Sequence, residues 1–181
     1  CALPICWQPT IQLIEQFLAQ VDPKSDHLVL IGGSAGWMMP PSWLSRFKRI
    51  DAYDIDPLAP WLFDWRHGRR LQAQGTEVVA HRQDALLTLP ELLLQHPDAC
   101  IWFDNVLGQH RYRLRDEVRV EQELTQLKTT LKGRHWGSLH DVLSGPTDGR
   151  LLPAGLSVWS HHTLAKHGLD AAFSQKLLAS V

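Results

Sequence analysis

Cysteine is scarce in this chain, an excess of either charge is missing, and no long apolar run occurs. Cys1, Cys6 and Cys100 are too few and too scattered for a disulfide framework or a cysteine-ligated zinc site. Cys100 lies within an apolar stretch and reads as an inert core thiol. A reducing, cytoplasmic location is therefore expected. No apolar segment approaches the roughly 20 residues of a membrane-spanning helix, so no membrane association is expected. No charged-then-apolar signal segment opens the sequence, which starts at Cys1 rather than Met and is expected to be trimmed there. The 18 Lys and Arg balance 19 Asp and Glu, for a formal net charge of −1. Without a basic field to neutralise phosphates, nucleic acid is not an expected partner. The one local basic cluster, Arg66, His67, Arg69 and Arg70, reads as a solvated helix face.

What remains is ordinary for a globular protein of 181 residues with 44% hydrophobic and 20% charged residues. That length suffices for one domain with a substantial core, and a single domain over 1–181 is the expectation. Tryptophan is the exception to the ordinary composition, at eight residues. Most are expected in or near the core, with Trp37 set apart because it directly follows a glycine-rich turn.

Hydrophobic periodicity divides the chain into alternating helices and strands. Thr10 to Gln20 is an amphipathic helix with Ile11, Ile14, Phe17 and Leu18 on one side. Leu28 to Ile31 is continuously apolar, as for a strand buried on both faces of a parallel sheet. A short helix from Pro40-Pro41-Ser42 through Phe47 leads to a strand at Ile50 to Tyr53. Leu58 to Gln74 is a helix weakened by Gly68, and Glu77 to Ala80 a third strand. Leu89 to Gln95 is a helix opened by Pro90 and Glu91, and Ala99 to Phe103 a fourth strand. Leu114 to Leu131 is a helix whose apolar side is Leu114, Val118, Leu124, Leu127 and Leu131. Trp136 to Val142 is a fifth strand. A turn-rich loop covers Ser144 to Gly149, and Thr163 to His167 looks helical. Strand–helix alternation throughout predicts an α/β fold, a three-layer αβα sandwich around a mainly parallel sheet.

In such sheets ligands bind beyond the carboxyl ends of the strands. A polar cluster follows each strand here: Gly32-Gly33-Ser34-Ala35-Gly36, then Asp54 and Asp56, then Gln83-Asp84-Ala85, then Asp104-Asn105 on to Gln109, then His140-Asp141. A small-residue turn lets backbone approach a ligand, and a carboxylate ending the next strand can accept both hydroxyls of a ribose. The bland readings are helix caps for Asp54, Asp56 and Asp84 and a strand-end cap for His140.

From Leu28 to Val142 the chain resembles the class I S-adenosylmethionine-dependent methyltransferases, which have a Rossmann-like fold. The family's GxGxG turn corresponds to Gly32 through Gly36, with Ser34 at the middle glycine. The resemblance implies S-adenosyl-L-methionine as cofactor, held by Gly32, Gly33, Ser34 and Gly36. Asp54 and its neighbour Ile55 would meet the ribose, Asp84 and Ala85 the adenine, and Asn105 the methionine part or the substrate. The cofactor-binding core would span about 27–142. Two departures stand out. Leu30 occupies the position where the family often carries an acid, and the segment after the fourth strand is not an Asn-Pro-Pro-Tyr motif.

The expected function is methyl transfer to a small-molecule acceptor. His140 is a candidate base for removing a proton from the nucleophile, with Asp141 beside it. No metal is expected: His161, His162 and His167 are poorly spaced for one. The alternatives are an aminopropyltransferase of the spermidine-synthase type, which would want further acids after the fourth strand, and a non-catalytic protein that keeps the fold. A nicotinamide-dependent reductase ranks lower, because Gly32, Ser34 and Trp37 sit where G-x-G-x-x-G needs glycines. The acceptor and the oligomeric state are not legible.

Overall fold

The computed structural model describes residues 4–109 and 116–140, with the side chains of 4–10 and 117 outside that description. The turn-rich loop at 144–149, the helix expected at 163–167 and Asp141 all lie outside the described residues. Two units divide the chain, one of Glu15–His140 and one of Cys1–Ile14 with Asp141–Val181. Of the second, only the helical residues 4–14 are described.

Five strands form one sheet in the order β3-β2-β1-β4-β5. They are β1 (His27–Ile31), β2 (Arg49–Asp54), β3 (Glu77–Arg82), β4 (Cys100–Asp104) and β5 (Trp136–Leu139). Every pairing is parallel, so the mainly parallel sheet expected from sequence is wholly parallel among the described residues. The helices with both ends described are α1 (Pro4–Gln20), α2 (Pro41–Leu44), α3 (Ala59–Phe63), α4 (Arg69–Ala73), α5 (Leu89–Gln95) and α6 (Glu117–Thr130), and residues 106–109 are also helical. The chain is thus an α/β fold with a parallel sheet flanked by helices.

The most apolar strands take the centre. All five residues of β4 are buried, as are Leu28 to Ile31 of β1. Successive side chains point to opposite faces, so both faces need a cover. On one face Val29, Ile31, Ile101 and Phe103 pack with Leu89, Leu92 and Leu93 of α5 and with Leu131. On the other, Trp102 meets Trp43 of α2 at 5.5 Å between ring centroids. A Cβ on Gly137 would stand 2.2 Å from the Trp102 ring, so the neighbouring strand supplies a glycine where the indole lies.

Several expectations needed correction. The first helix begins at Pro4 rather than Thr10, since proline also suits a first helical position. Phe17 is exposed, and Leu18 carries the burial. On α6, Val118 is 69% exposed, and the apolar stripe is Val120, Leu124, Leu127 and Leu131; at 100° per residue Val118 falls on the opposite side. Trp43 and Trp102 are buried, but Trp37, Trp61, Trp65 and Trp136 are exposed. Asp116 caps α6, its Oδ1 accepting the Arg119 amide at 3.1 Å. Asp116→Ala is expected to cost about 1 kcal/mol in denaturant titration; an unchanged midpoint would count against the cap.

The helix expected at Leu58 to Gln74 is interrupted. Between α3 and α4, residues Asp64–Gly68 form one π turn. A Cβ on Gly68 would lie 2.0 Å from Asp64 Oδ1, so glycine fits where the wider turn folds Asp64 back. The extra residue redirects the two that follow Trp65. His67 Nε2 donates to the Gly36 carbonyl at 3.0 Å, and the Arg66 guanidinium lies over the Trp37 ring, 4.1 Å from its centroid. Both reach back to the turn after β1, so the basic cluster is not simply a solvated face. Burial lowers the His67 pKa, consistent with a neutral imidazole donating to a carbonyl.

Candidate functional site

The site is built at the switch point of the sheet, where β1 leads outward to β2 on one side and lies beside β4 on the other. The apolar strand delivers the chain to Gly32, whose φ of +75° admits glycine readily. A Cβ there would stand 1.9 Å from Val106 Cγ2, so the turn after β1 and the segment after β4 meet only because this side chain is absent. The Gly32 amide donates to the Tyr53 carbonyl at 2.8 Å, which ties the turn to the end of β2. Ser34 adopts φ 47° and Gly36 φ 66°, and the Gly36 amide closes the turn on the Gly33 carbonyl at 2.6 Å.

Asp54, the last residue of β2, organises this corner. Its Oδ2 accepts the Ser34 amide at 2.9 Å and its Oδ1 the Asp56 amide at 2.8 Å. One carboxylate therefore joins the glycine turn to the loop after β2. Asp56 makes a local turn of its own by accepting the Leu58 amide at 2.9 Å. Asp84 Oδ1 accepts the Leu86 amide at 3.2 Å, while α5 begins at an N-cap, Thr88, that makes no side-chain cap bond. Asp84 is thus a loop-forming acid rather than the cap of α5. After β4, Asn105 takes φ 57° and donates its amide to the Leu139 carbonyl at 2.6 Å.

Between these segments lies a cavity of about 390 Å³, within the range of small-molecule sites. Gly32, Gly33, Ser34, Asp54, Ile55, Asp84, Ala85 and Asn105 all line it. Gly36 does not; it is buried behind the turn against His67. His140 is exposed, with its Nδ1 2.7 Å from Ser138 Oγ, and does not line the cavity. Trp37, Met38, Tyr53, Gln83, Leu86 and Val106 complete much of the wall.

The charge of that wall is one-sided. Asp54, Asp56, Asp84 and Asp104 line it, and no Lys, Arg or His does so among the described residues. Asp104 was legible in the sequence only as an acid ending a strand. In the fold its residue is 5% exposed, and its Oδ1 has no hydrogen-bond partner among the described residues. Burial, with the Asp54 charge adding to it, pushes its carboxyl up to about 7. The available signal was an acid closing the most apolar strand of the chain.

No protein-family model and no curated protein matches the sequence. Among solved structures, a SAM-dependent methyltransferase from Anabaena variabilis is similar at 14% identity and a TM-score of 0.49, over 75% of this chain and 51% of that protein. The chain thus spans about half the length of that neighbour. No helix among the described residues is long and apolar enough to cross a membrane.

Proposed function

We propose that this chain binds S-adenosyl-L-methionine and transfers its methyl group to a small-molecule acceptor. One observation carries the reading: the glycine turn, Asp54 and Asp84 line a single cavity whose charged wall residues, among the described residues, are all carboxylates. A ligand suited to that wall carries positive charge, hydroxyl and amino donors, and no phosphate. An adenosyl sulfonium has this character. Asp54 offers acceptors for the ribose hydroxyls, Asp84 for the adenine amine, and Ile55, Ala85 and Leu86 apolar surface for the base. Gly32, Gly33 and Ser34 line the cavity beside these acids, so the remainder of the ligand would lie along the turn.

When bound, the cofactor supplies an electrophilic methyl on a positively charged sulfur. The chain's own part is to bind, orient and exclude water, because in-line approach is the main demand of methyl transfer. The four carboxylates of the described wall, Asp54, Asp56, Asp84 and Asp104, disfavour a dinucleotide, whose pyrophosphate they would repel. So does the segment after the glycine turn, where the next helix, α2, begins only at Pro41 and has four residues. A pyrophosphate would want a helix N-terminus directly after the turn.

Titration monitored by tryptophan fluorescence tests the reading, since Trp37 lines the cavity. S-adenosylmethionine and S-adenosylhomocysteine are expected to change the emission saturably, and NADH is not. A preference for decarboxylated S-adenosylmethionine would favour the aminopropyltransferase instead. Silence with all adenosyl ligands would leave a protein that keeps the fold without the cofactor.

A further inference from the structure

A carboxylate oxygen closed off from water without a partner is costly, yet among the described residues Asp104 Oδ1 is held that way, in a residue that lines the cavity. It ends β4, whose other residues are all buried and apolar, and it is 5% exposed. Its Oδ1 meets no donor among the described residues. No Lys, Arg or His among the described residues lines the cavity, and the other acids of the wall, Asp54, Asp56 and Asp84, raise the local negative potential. Each of these three accepts backbone amides: Asp54 from Ser34 and Asp56, Asp56 from Leu58, and Asp84 from Leu86. Asp104 Oδ1 accepts no such amide among the described residues, although its residue lines the same cavity.

A partner that holds this carboxyl ionised donates hydrogen bonds and carries positive charge. A sulfonium supplies charge but no N–H. A hydroxyl donates but leaves the charge uncompensated. A primary ammonium does both, with three donors in a small volume. We propose that Asp104 is an ammonium-binding residue, pairing with a primary amine of the bound ligand inside the cavity. Two sources share this chemistry: the amino-acid end of the adenosyl ligand and an amine on the methyl acceptor. The choice of adenosyl probes rests on the function proposed above, whereas the pairing of Asp104 with an amine does not.

The test uses the full chain with carboxyl-¹³C aspartate, the Asp104 signal being assigned by its loss in Asp104→Asn. Without ligand, that carboxyl should titrate near pH 7. Saturating S-adenosylhomocysteine should keep it ionised to well below that pH, whereas 5′-methylthioadenosine, which lacks the amine, should not. In parallel, wild-type protein should prefer S-adenosylhomocysteine over 5′-methylthioadenosine by about tenfold or more. Asp104→Asn should erase most of that preference and leave 5′-methylthioadenosine binding unchanged. Butylamine added with 5′-methylthioadenosine distinguishes the sources: an Asp104 response to it, but not to S-adenosylhomocysteine, assigns the acceptor's amine. If no adenosyl compound binds, the function proposed above fails, and butylamine alone decides the role of Asp104 on the same signal. An Asp104 carboxyl that responds to no amine, or a variant that keeps the full preference, overturns the proposal.

Discussion

Asp54→Ala is expected to weaken S-adenosylhomocysteine binding by about 100-fold while leaving the protein folded. The size follows from two losses. A carboxylate accepting two ligand hydroxyls makes charge-assisted hydrogen bonds of about 1.5 kcal/mol or more each, so their sum is near 3 kcal/mol. The same carboxylate also holds the Ser34 amide at 2.9 Å and the Asp56 amide at 2.8 Å, so its removal loosens the wall that the ligand meets. Asp54 is half-buried at the end of its strand, and both freed amides can reach water, so little stability should be lost. Asp54→Asn keeps one acceptor oxygen and should fall between wild type and Ala. Calorimetric titration checks the affinity, and circular dichroism melting checks the fold. Equal affinity in wild type and Ala would remove Asp54 from the binding site.

Asp51→Ala is expected to do the reverse, destabilising the protein by about 2–4 kcal/mol, or roughly 10 °C in Tm. Asp51 is fully buried in β2. Its Oδ2 takes Arg49 Nε and His27 Nε2 at 2.7 Å each, and its Oδ1 takes His81 Nε2 at 2.7 Å and Arg49 Nη2 at 3.2 Å. Removing the acid leaves three basic groups facing one another, though each retains some contact with water, with Arg49 42% exposed. That exposure is why the figure lies below the full cost of breaking a buried pair. His96 stands close by, edge-on to His27 and with Nε2 3.0 Å from the Tyr53 hydroxyl. The donor atoms of His27, Asp51 and His96 lie within 4.8 Å of one another, but both Asp51 oxygens already have partners.

The pH dependence has a definite sign. Burial raises the Asp51 pKa, but hydrogen bonds from Arg49, His81 and His27 outweigh it and hold the carboxyl well below its ordinary 3.8. A carboxyl depressed by folding contributes stability above its unfolded pKa and loses it as the pH falls toward the folded value. The gap between wild type and Asp51→Ala should therefore be full at neutral pH and shrink below about pH 4. Urea titrations at pH 7 and pH 3 check this. A gap that persists unchanged at pH 3 would assign the loss to packing rather than to charge.

Strands were the easiest elements to read, because Leu28 to Ile31 and the run ending at Phe103 are apolar without interruption, and only a two-sided interior suits such runs. The turn after β1 was legible for a related reason: small residues crowded between a strand and a short helix mark backbone that must come close to something. Helix faces were less legible. Val118 and Leu124 are similar in type, and only the direction from which the sheet approaches decides that one is exposed and the other half-buried. The π turn at Asp64–Gly68 left a single trace, Gly68, and the contact it places, His67 with Gly36, spans 31 positions.

Local sequence determined the order of the elements, the parallel sheet and the acids at the strand ends, since periodicity, apolar runs and turn residues act over a few positions. Tertiary structure decided the state of each acid. Asp51 and Asp104 are both aspartates in or ending apolar strands, and of the partners that set them apart only Arg49 lies near in sequence, with His27 and His81 brought from other strands. One is met by basic groups from three strands, and the other lies on a cavity wall with its Oδ1 unpartnered among the described residues. The solvation and charge environment of a carboxylate depend on whatever packs around it, and that is brought there by chain distant in sequence.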